Sequence, residues 1–411
     1  MYWKKLSKNK ITERILEALN QNRNYDSDTI LGIPGTYLDT EQFYREAPFL
    51  RDDAPYLNTL INNPNHIGCH TLTEDGSEDL FRGTQQIEIE LIKMVSEDIL
   101  RAPKNSIDGY VAPGGTEANI QAMWIYRNYY ILEHKAKHNE IAVVYSEDSH
   151  YSMPKGANLL NIKSIAVDVN EDTRQIEAET LKKELTQAQN DGIKYFILVQ
   201  NMSTTMFGSV DNIDANTAVF KELNLTYKVH ADGAFGGFIY PFTSSDNELD
   251  FSNPEITSIT LDAHKMLMAP YGTGMFLIRK EWMKYATTEE AQYVQGLDYT
   301  ICGSRSGANA ISIWMILQTH GPHGWQHNID SLQVLTNWFC AELDYRGIEY
   351  FRNPDMNIVT MKSKGLPADV CKKYRLVADS YTSEPKWWKI VVMPHVKKDA
   401  LTQFLNEVDE K

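Results

Sequence analysis

Between about residues 107 and 278 the chain alternates short apolar runs with stretches whose apolar positions recur at helical spacing. Asp108–Ala112, Glu140–Ser146, Ser164–Asp168, Tyr195–Gln200, Thr226–Ala231, Ser258–Leu261 and Gly274–Ile278 read as strands. Ala118–His134, Lys155–Leu160, Ala178–Asp191 and Thr217–Asn224 read as the helices between them. This alternation predicts an α/β fold, a mostly parallel sheet with helices on both faces. Such sheets bind ligands beyond the carboxyl ends of their strands, so the polar residues directly after each apolar run matter most. Upstream, Glu78 to Ala102 carries apolar residues at helical spacing and reads as one long helix, with Pro103 just past its end. Residues 1 to about 60 are mixed and polar. They contain one short amphipathic helix, Ile11 to Asn20, and a break at Pro34-Gly35-Thr36. After residue 307 the rhythm changes. Helices are expected at Ala308–Gln318, Asp330–Tyr345 and Lys397–Val408, and strands at Glu349–Arg352, Asn357–Met361 and Trp388–Met393 around a further helix. The chain thus divides into an N-terminal arm (1–60), a large α/β domain (61–306) and a small α+β domain (307–411).

Charge and composition narrow the partners. A formal net charge of −15 over 411 residues disfavours nucleic acid or an anionic membrane as the main partner. No apolar run approaches the roughly 20 residues of a membrane span, and the N-terminal basic residues have no apolar segment behind them. Cys69, Cys302, Cys340 and Cys371 show no C-x-x-C spacing, so a reduced, cytoplasmic setting is expected. His320, His323 and His327 are interrupted by Gly321, Pro322 and Gly324, which marks a helix–helix connection rather than a metal site.

Four polar motifs follow strand-like runs. Pro113-Gly114-Gly115-Thr116 lies between a strand and a helix; glycines let backbone amides approach an anion, Thr116 adds a hydroxyl, and the helix adds its positive end. His150 follows the run 141–145, where an imidazole can stack on a planar ring. Asp232 ends the run 227–231 and is followed by the small Gly233 and Ala234. A buried carboxylate needs a partner, and the protonated pyridine nitrogen of pyridoxal 5'-phosphate is one such partner. Lys265 ends Ser258-Ile259-Thr260-Leu261-Asp262-Ala263-His264-Lys265. A lysine in a desolvated position has its pKa lowered readily and becomes a nucleophile toward carbonyls. Each motif has an ordinary alternative: a helix entry, a loop histidine, a turn aspartate, a surface lysine. Their concurrence at successive strand ends points to a pyridoxal phosphate site.

Gly114-Gly115-Thr116-Glu117-Ala118-Asn119, Ser149-His150, His230-Ala231-Asp232-Gly233-Ala234-Phe235-Gly236-Gly237, Asp262-Ala263-His264-Lys265 and Gly303-Ser304-Arg305-Ser306-Gly307 together resemble the group II amino-acid decarboxylases, fold-type-I pyridoxal phosphate enzymes acting on glutamate, aromatic amino acids, tyrosine or aspartate. The resemblance covers roughly residues 65–400. It implies that Lys265 carries the cofactor as a Schiff base and Asp232 pairs with the pyridine nitrogen. His150 and Ala234 flank the ring, Thr205 lies near the ring hydroxyl, and Gly115, Thr116 and His264 hold the phosphate. Ser304 is implied to reach a phosphate across the interface of a homodimer. Tyr293, with Tyr299 as the alternative, is implied to return a proton to the substrate.

The substrate side is less defined. The arginine that relatives carry before the last strand is Lys389 here, which cannot make a bidentate fork; Arg305, Arg352 and His70 are further candidates for the substrate's anionic group. The expectation is decarboxylation of an acidic or aromatic L-amino acid. An aminotransferase, an aldehyde lyase, a desulfurase using Cys302, or a catalytically silent cofactor binder are the alternatives. For Cys302 itself a small buried residue is the expectation.

Overall fold

Seven strands form the central sheet: β1 (Ile107–Tyr110), β2 (Ile141–Ser146), β3 (Lys163–Val167), β4 (Tyr195–Asn201), β5 (Thr226–Gly233), β6 (Ile256–Asp262) and β7 (Gly274–Arg279). They lie in a computed structural model that describes residues 2–24, 30–32, 38, 55–72, 79–286 and 298–410. Their order is β1-β7-β6-β5-β4-β2-β3. The β6–β5, β5–β4, β4–β2 and β2–β3 pairs are parallel, and β7 runs antiparallel to both neighbours. Six strands therefore share one direction, and four of them, β1, β2, β5 and β6, deliver the four polar motifs to one edge of the sheet, with Thr205 following β4.

Helices cover both faces, which is why the inner strands read as unbroken apolar runs: every residue of β2 and of β6 is buried. The two-residue period still sorts the side chains. Ala142, Val144, Phe196 and Leu198 enter one core, while Ile141, Val143, Tyr145, Ile197 and Val199 enter the other, against the helix Gly115–His134. The edge strand β3 exposes Lys163, Ser164 and Ala166.

The N-terminal segment packs on this body. Trp3, Ile11, Ile15 and Ala18 join the first core, and the Trp3 indole donates to the Leu317 carbonyl at 2.8 Å. The expected helix 78–102 is shorter: it runs from Arg82 to Lys93, then widens into a π-helical turn, Met94–Ile99. The connection around His320 is tighter than its glycines and proline suggest. One residue, Gly321 (φ 64°, ψ 175°), breaks the helix Gly307–Arg346, and the second half resumes at Pro322 rather than Asp330. Proline suits the first helical turn because its missing N–H would have no partner there. A Cβ on Gly321 would lie 2.6 Å from the Lys5 amide. Trp325, Ile329 and Leu332 consequently belong to the large core, and a separate cluster begins near Phe339. That cluster lies under a four-stranded antiparallel sheet, β8 (Tyr350–Phe351), β9 (Ile358–Lys362), β10 (Val377–Ala378) and β11 (Trp387–Val391), ordered β8-β9-β11-β10.

Candidate active site

After β1 the chain is pinned to β7 by reciprocal backbone bonds between Ala112 and Gly274 (2.9 and 2.7 Å). A Cβ on Gly274 would fall 2.7 Å from the Gly114 backbone, so only glycine permits this approach. The helix Gly115–His134 starts at Gly114 with no side-chain cap. Its first-turn amides are thus open to an anion, as a phosphate requires.

His150 lies between β2 and the helix Ser152–Leu160. Its Nδ1 accepts the Ser152 amide (3.2 Å) and contacts the Ser152 hydroxyl (2.9 Å). Burial is the main cause holding its pKa below the ordinary value. At the end of β4, Asn201 bridges Asp211 and Ser149, each at 2.8 Å. Burial pushes the Asp211 carboxyl up to about 7. At the end of β5, Asp232 is 5% exposed; its Oδ2 accepts from Asn119 Nδ2 and its Oδ1 from the Ala234 amide, both at 3.0 Å. At the end of β6, Lys265 Nζ lies 3.0 Å from Asp262 Oδ2, with His264 Nε2 at 3.7 Å from the same oxygen. Asp262 Oδ1 and His264 Nδ1 are buried without a hydrogen-bond partner among the described residues.

These side chains converge on a cavity of about 560 Å³, lined among others by Gly115, Thr116, His150, Thr205, Asp232, Ala234, His264 and Lys265. Eight of the residues singled out in the sequence therefore meet in one place. Others do not. Ser304 is exposed in a two-stranded ribbon, its hydroxyl accepting from Asn65 at 3.2 Å. Arg305 is corrected from a substrate cation to a buried structural one. Its Nη1 lies 2.5 Å from Glu88 Oε1 and 3.0 Å from the Val111 carbonyl, and Nη2 lies 2.5 Å from the Gly68 carbonyl. Arg352 follows β8 and is bonded to Asn337, Gln333 and the Met356 carbonyl. Cys302 is exposed rather than buried. Partial desolvation and neighbouring Glu117 push its thiol up to about 11, away from the thiolate a desulfurase needs. Tyr299 packs against the second core, and its carbonyl accepts from Gln121 Nε2 at 2.7 Å. Tyr293 and the His70 side chain lie outside the described residues. Lys389, on β11, donates to the Thr205 carbonyl at 2.8 Å beside the cavity. Burial, then the Lys265 charge, lowers its pKa. Among the described residues no His, Cys, Asp and Glu group could hold a metal, and no helix is long and apolar enough to cross a membrane.

Sequence reasoning assigned no role to Asn119, Asp262, Glu117 or the apolar wall Ile120, Leu159, Phe235 and Ile301, all of which reach the cavity. Asn119 offered one signal, a poor helix former in the first turns of an apolar helix.

The arrangement fits pyridoxal 5'-phosphate: open helix amides for the phosphate, a carboxylate oriented by two protein donors with acceptor capacity left for the pyridine nitrogen, and an amine for the aldehyde. With one reversed strand in a seven-stranded sheet, fold and site define a fold-type-I pyridoxal phosphate enzyme. Residues 67–362 match the pyridoxal-dependent decarboxylase conserved domain, and the chain belongs to that family. It is 48% identical over 407 residues to a tryptophan decarboxylase of Clostridium sporogenes, covering 99% of this chain and 97% of the relative. It is 29% identical over 415 residues to an L-aspartate decarboxylase of Thermococcus kodakarensis, covering 98% and 97%. L-Methionine decarboxylase of Streptomyces sp. 590 shares the fold, with a TM-score of 0.70 at 17% identity over 98% of this chain and 94% of that one. The protein is a pyridoxal-phosphate-dependent amino-acid decarboxylase.

Proposed function

We propose that the substrate is an aromatic L-amino acid, with L-tryptophan preferred, released as the amine and carbon dioxide. The observation that carries this is the 48% identity to tryptophan decarboxylase along 99% of the chain, against 29% to the aspartate enzyme. The cavity supports it. Ile120, Leu159, Phe235 and Ile301 offer apolar wall, and the basic side chains among the described lining residues are His150, His264 and Lys265. A second substrate carboxylate would need a further cation.

When bound, the cofactor supplies the electron sink for the pair left behind as carbon dioxide departs. Lys265 is the covalent attachment point, and Asp232 holds the proton at the pyridine nitrogen. The uncapped helix amides with Thr116 and His264 take the phosphate. His150 and Ala234 confine the ring, and Thr205 lies toward its hydroxyl. Lys389 binds the substrate α-carboxylate as a point charge. Tyr293 returns the proton to Cα, an assignment that a fully active Tyr293→Phe enzyme would overturn. The protein works as a homodimer. Tyr151, Leu159 and Ile301 line the cavity and are 63%, 65% and 44% exposed, apolar surface that a second copy would cover, with Ser304 reaching the partner's phosphate. A cytoplasmic setting accords with four free cysteines.

The test is carbon dioxide release by cofactor-saturated protein from tryptophan, tyrosine, phenylalanine, aspartate and glutamate. A kcat/KM for tryptophan at least tenfold above that for aspartate is expected. A preference for aspartate or glutamate would overturn the reading.

A further inference from the structure

Asn119 sits behind the cofactor cavity with both amide hydrogens committed. Nδ2 donates to Asp232 Oδ2 and to Ser152 Oγ, each at 3.0 Å. Its carbonyl oxygen lies 2.9 Å from His230 Nε2, and Asn119, Ser152 and His230 are all at most 1% exposed. The orientation of this amide follows from its partners. Asp232 accepts only, so the nitrogen of Asn119 must face it. The oxygen then faces His230 Nε2, which must carry the ring proton, with Thr260 Oγ1 a second neighbour at 3.3 Å. Burial pushes the His230 pKa down to about 4, so the ring is neutral and its Nδ1 is left as an acceptor. Nδ1 lies 2.7 Å from the Ser258 hydroxyl, which donates to it and in turn accepts from Tyr126 at 2.5 Å. The donors thus run in one direction, from Tyr126 through Ser258 and His230 to Asn119, and end on Asp232. A side branch leaves Asn119 through Ser152, whose hydroxyl and amide both address His150 Nδ1.

We infer that Asn119 is a positioning residue: it holds the Asp232 carboxyl facing the pyridine nitrogen and links it, through Ser152, to His150 over the ring. A carboxylate held by the Ala234 amide alone would lose half of its donors from the protein. Buried and less stabilised as an anion, it would draw the proton toward itself and leave the pyridine nitrogen less protonated. Any residue of similar size without an amide at position 119 breaks the chain at its junction, and His230 acts one step further back by fixing the amide's orientation. The inference rests on Asp232 facing the cofactor, and not on which amino acid is the substrate.

Two readouts independent of turnover test it in full-length protein. One is the dissociation constant of pyridoxal 5'-phosphate added to cofactor-stripped protein; the other is the nitrogen-15 resonance of ring-labelled cofactor, which reports protonation of the pyridine nitrogen. For Asn119→Leu, about a tenfold or greater loss of cofactor affinity is expected, with the resonance moved toward the unprotonated value. His230→Gln, which keeps Asn119, should move both readouts in the same direction by a smaller amount and serves if the leucine variant does not fold. Asp232→Asn sets the unprotonated extreme. If Asp232→Asn shifts the resonance while Asn119→Leu and His230→Gln match the wild type, the inference is overturned. If Asp232→Asn itself leaves the resonance unchanged, the placement of Asp232 against the pyridine falls, and the inference with it.

Discussion

Replacing Arg305 with methionine separates a substrate cation from a structural one. Arg305 and Glu88 form a buried pair with Nη1 to Oε1 at 2.5 Å and side chains 4% and 2% exposed. The same Glu88 oxygen accepts the Val111 amide at 2.7 Å, and Arg305 Nη1 donates to the Val111 carbonyl at 3.0 Å. The pair therefore clamps both backbone groups of Val111, three residues before the helix entry that serves the phosphate. Methionine keeps the apolar volume and removes the guanidinium from Glu88, whose carboxylate keeps the Val111 amide and His66 Nδ1 (2.6 Å) as partners. Breaking a buried pair from one side costs about 3–5 kcal/mol, and the lost bond to the Gly68 carbonyl adds to it. Denaturant unfolding of wild type and variant, both cofactor-saturated at one protein concentration, should show that loss. KM for the amino acid in the folded fraction should stay within about twofold, because Arg305 does not line the cavity. A variant of unchanged stability whose KM rises about tenfold would refute this and return Arg305 to the substrate.

Three further outcomes follow from single contacts. A Cβ at Gly115 would lie 2.7 Å from Asp262 Oδ2 and 3.2 Å from the Ala234 methyl, so Gly115→Ala should weaken cofactor binding about tenfold by equilibrium titration; equal affinity would show that the helix entry relaxes freely. Lys389→Met should raise KM for the amino acid about tenfold and Lys389→Arg should restore it, whereas an unchanged KM in the methionine variant removes Lys389 from the substrate. His230 is pushed from 6.5 to about 4 by burial, so between those values the unfolded chain binds a proton that the folded chain refuses. Stability is then lost as pH falls from 6.5 toward 4, by up to about 3 kcal/mol from this group. The unfolding free energy of wild type relative to His230→Gln should shrink by about that amount across this window, and a pH-independent difference would refute the assignment.

What the sequence made legible was whatever depends on local pattern. The alternation of apolar runs with helical stretches marked all seven strands of the large sheet to within two residues at either end, helped by inner strands such as β2 and β6 that are buried on both faces. The motifs at Gly115, His150, Asp232 and Lys265 were readable because each combines a polar residue costly to bury with an adjacent strand end. The site could be assembled from them because parallel topology sends the ends of β1, β2, β4, β5 and β6 to one edge.

The tertiary structure decided what pairing alone determines. Arg305 reads as a free cation in Gly303-Ser304-Arg305-Ser306-Gly307; its partner Glu88 is 217 residues away, and nothing local announces that both are buried together. Asn119 reads as a helix residue; its place between Asp232, Ser152 and His230 exists only because β5 lies beside the first turns of that helix. The helix break shrank to Gly321 because the N-terminal segment packs against it, where a Cβ would collide with Lys5. Local sequence sets which groups are present and which strand end carries them. Long-range packing sets which charges are neutralised, which hydrogen-bond donors are spent, and so which residues remain free to act on a ligand.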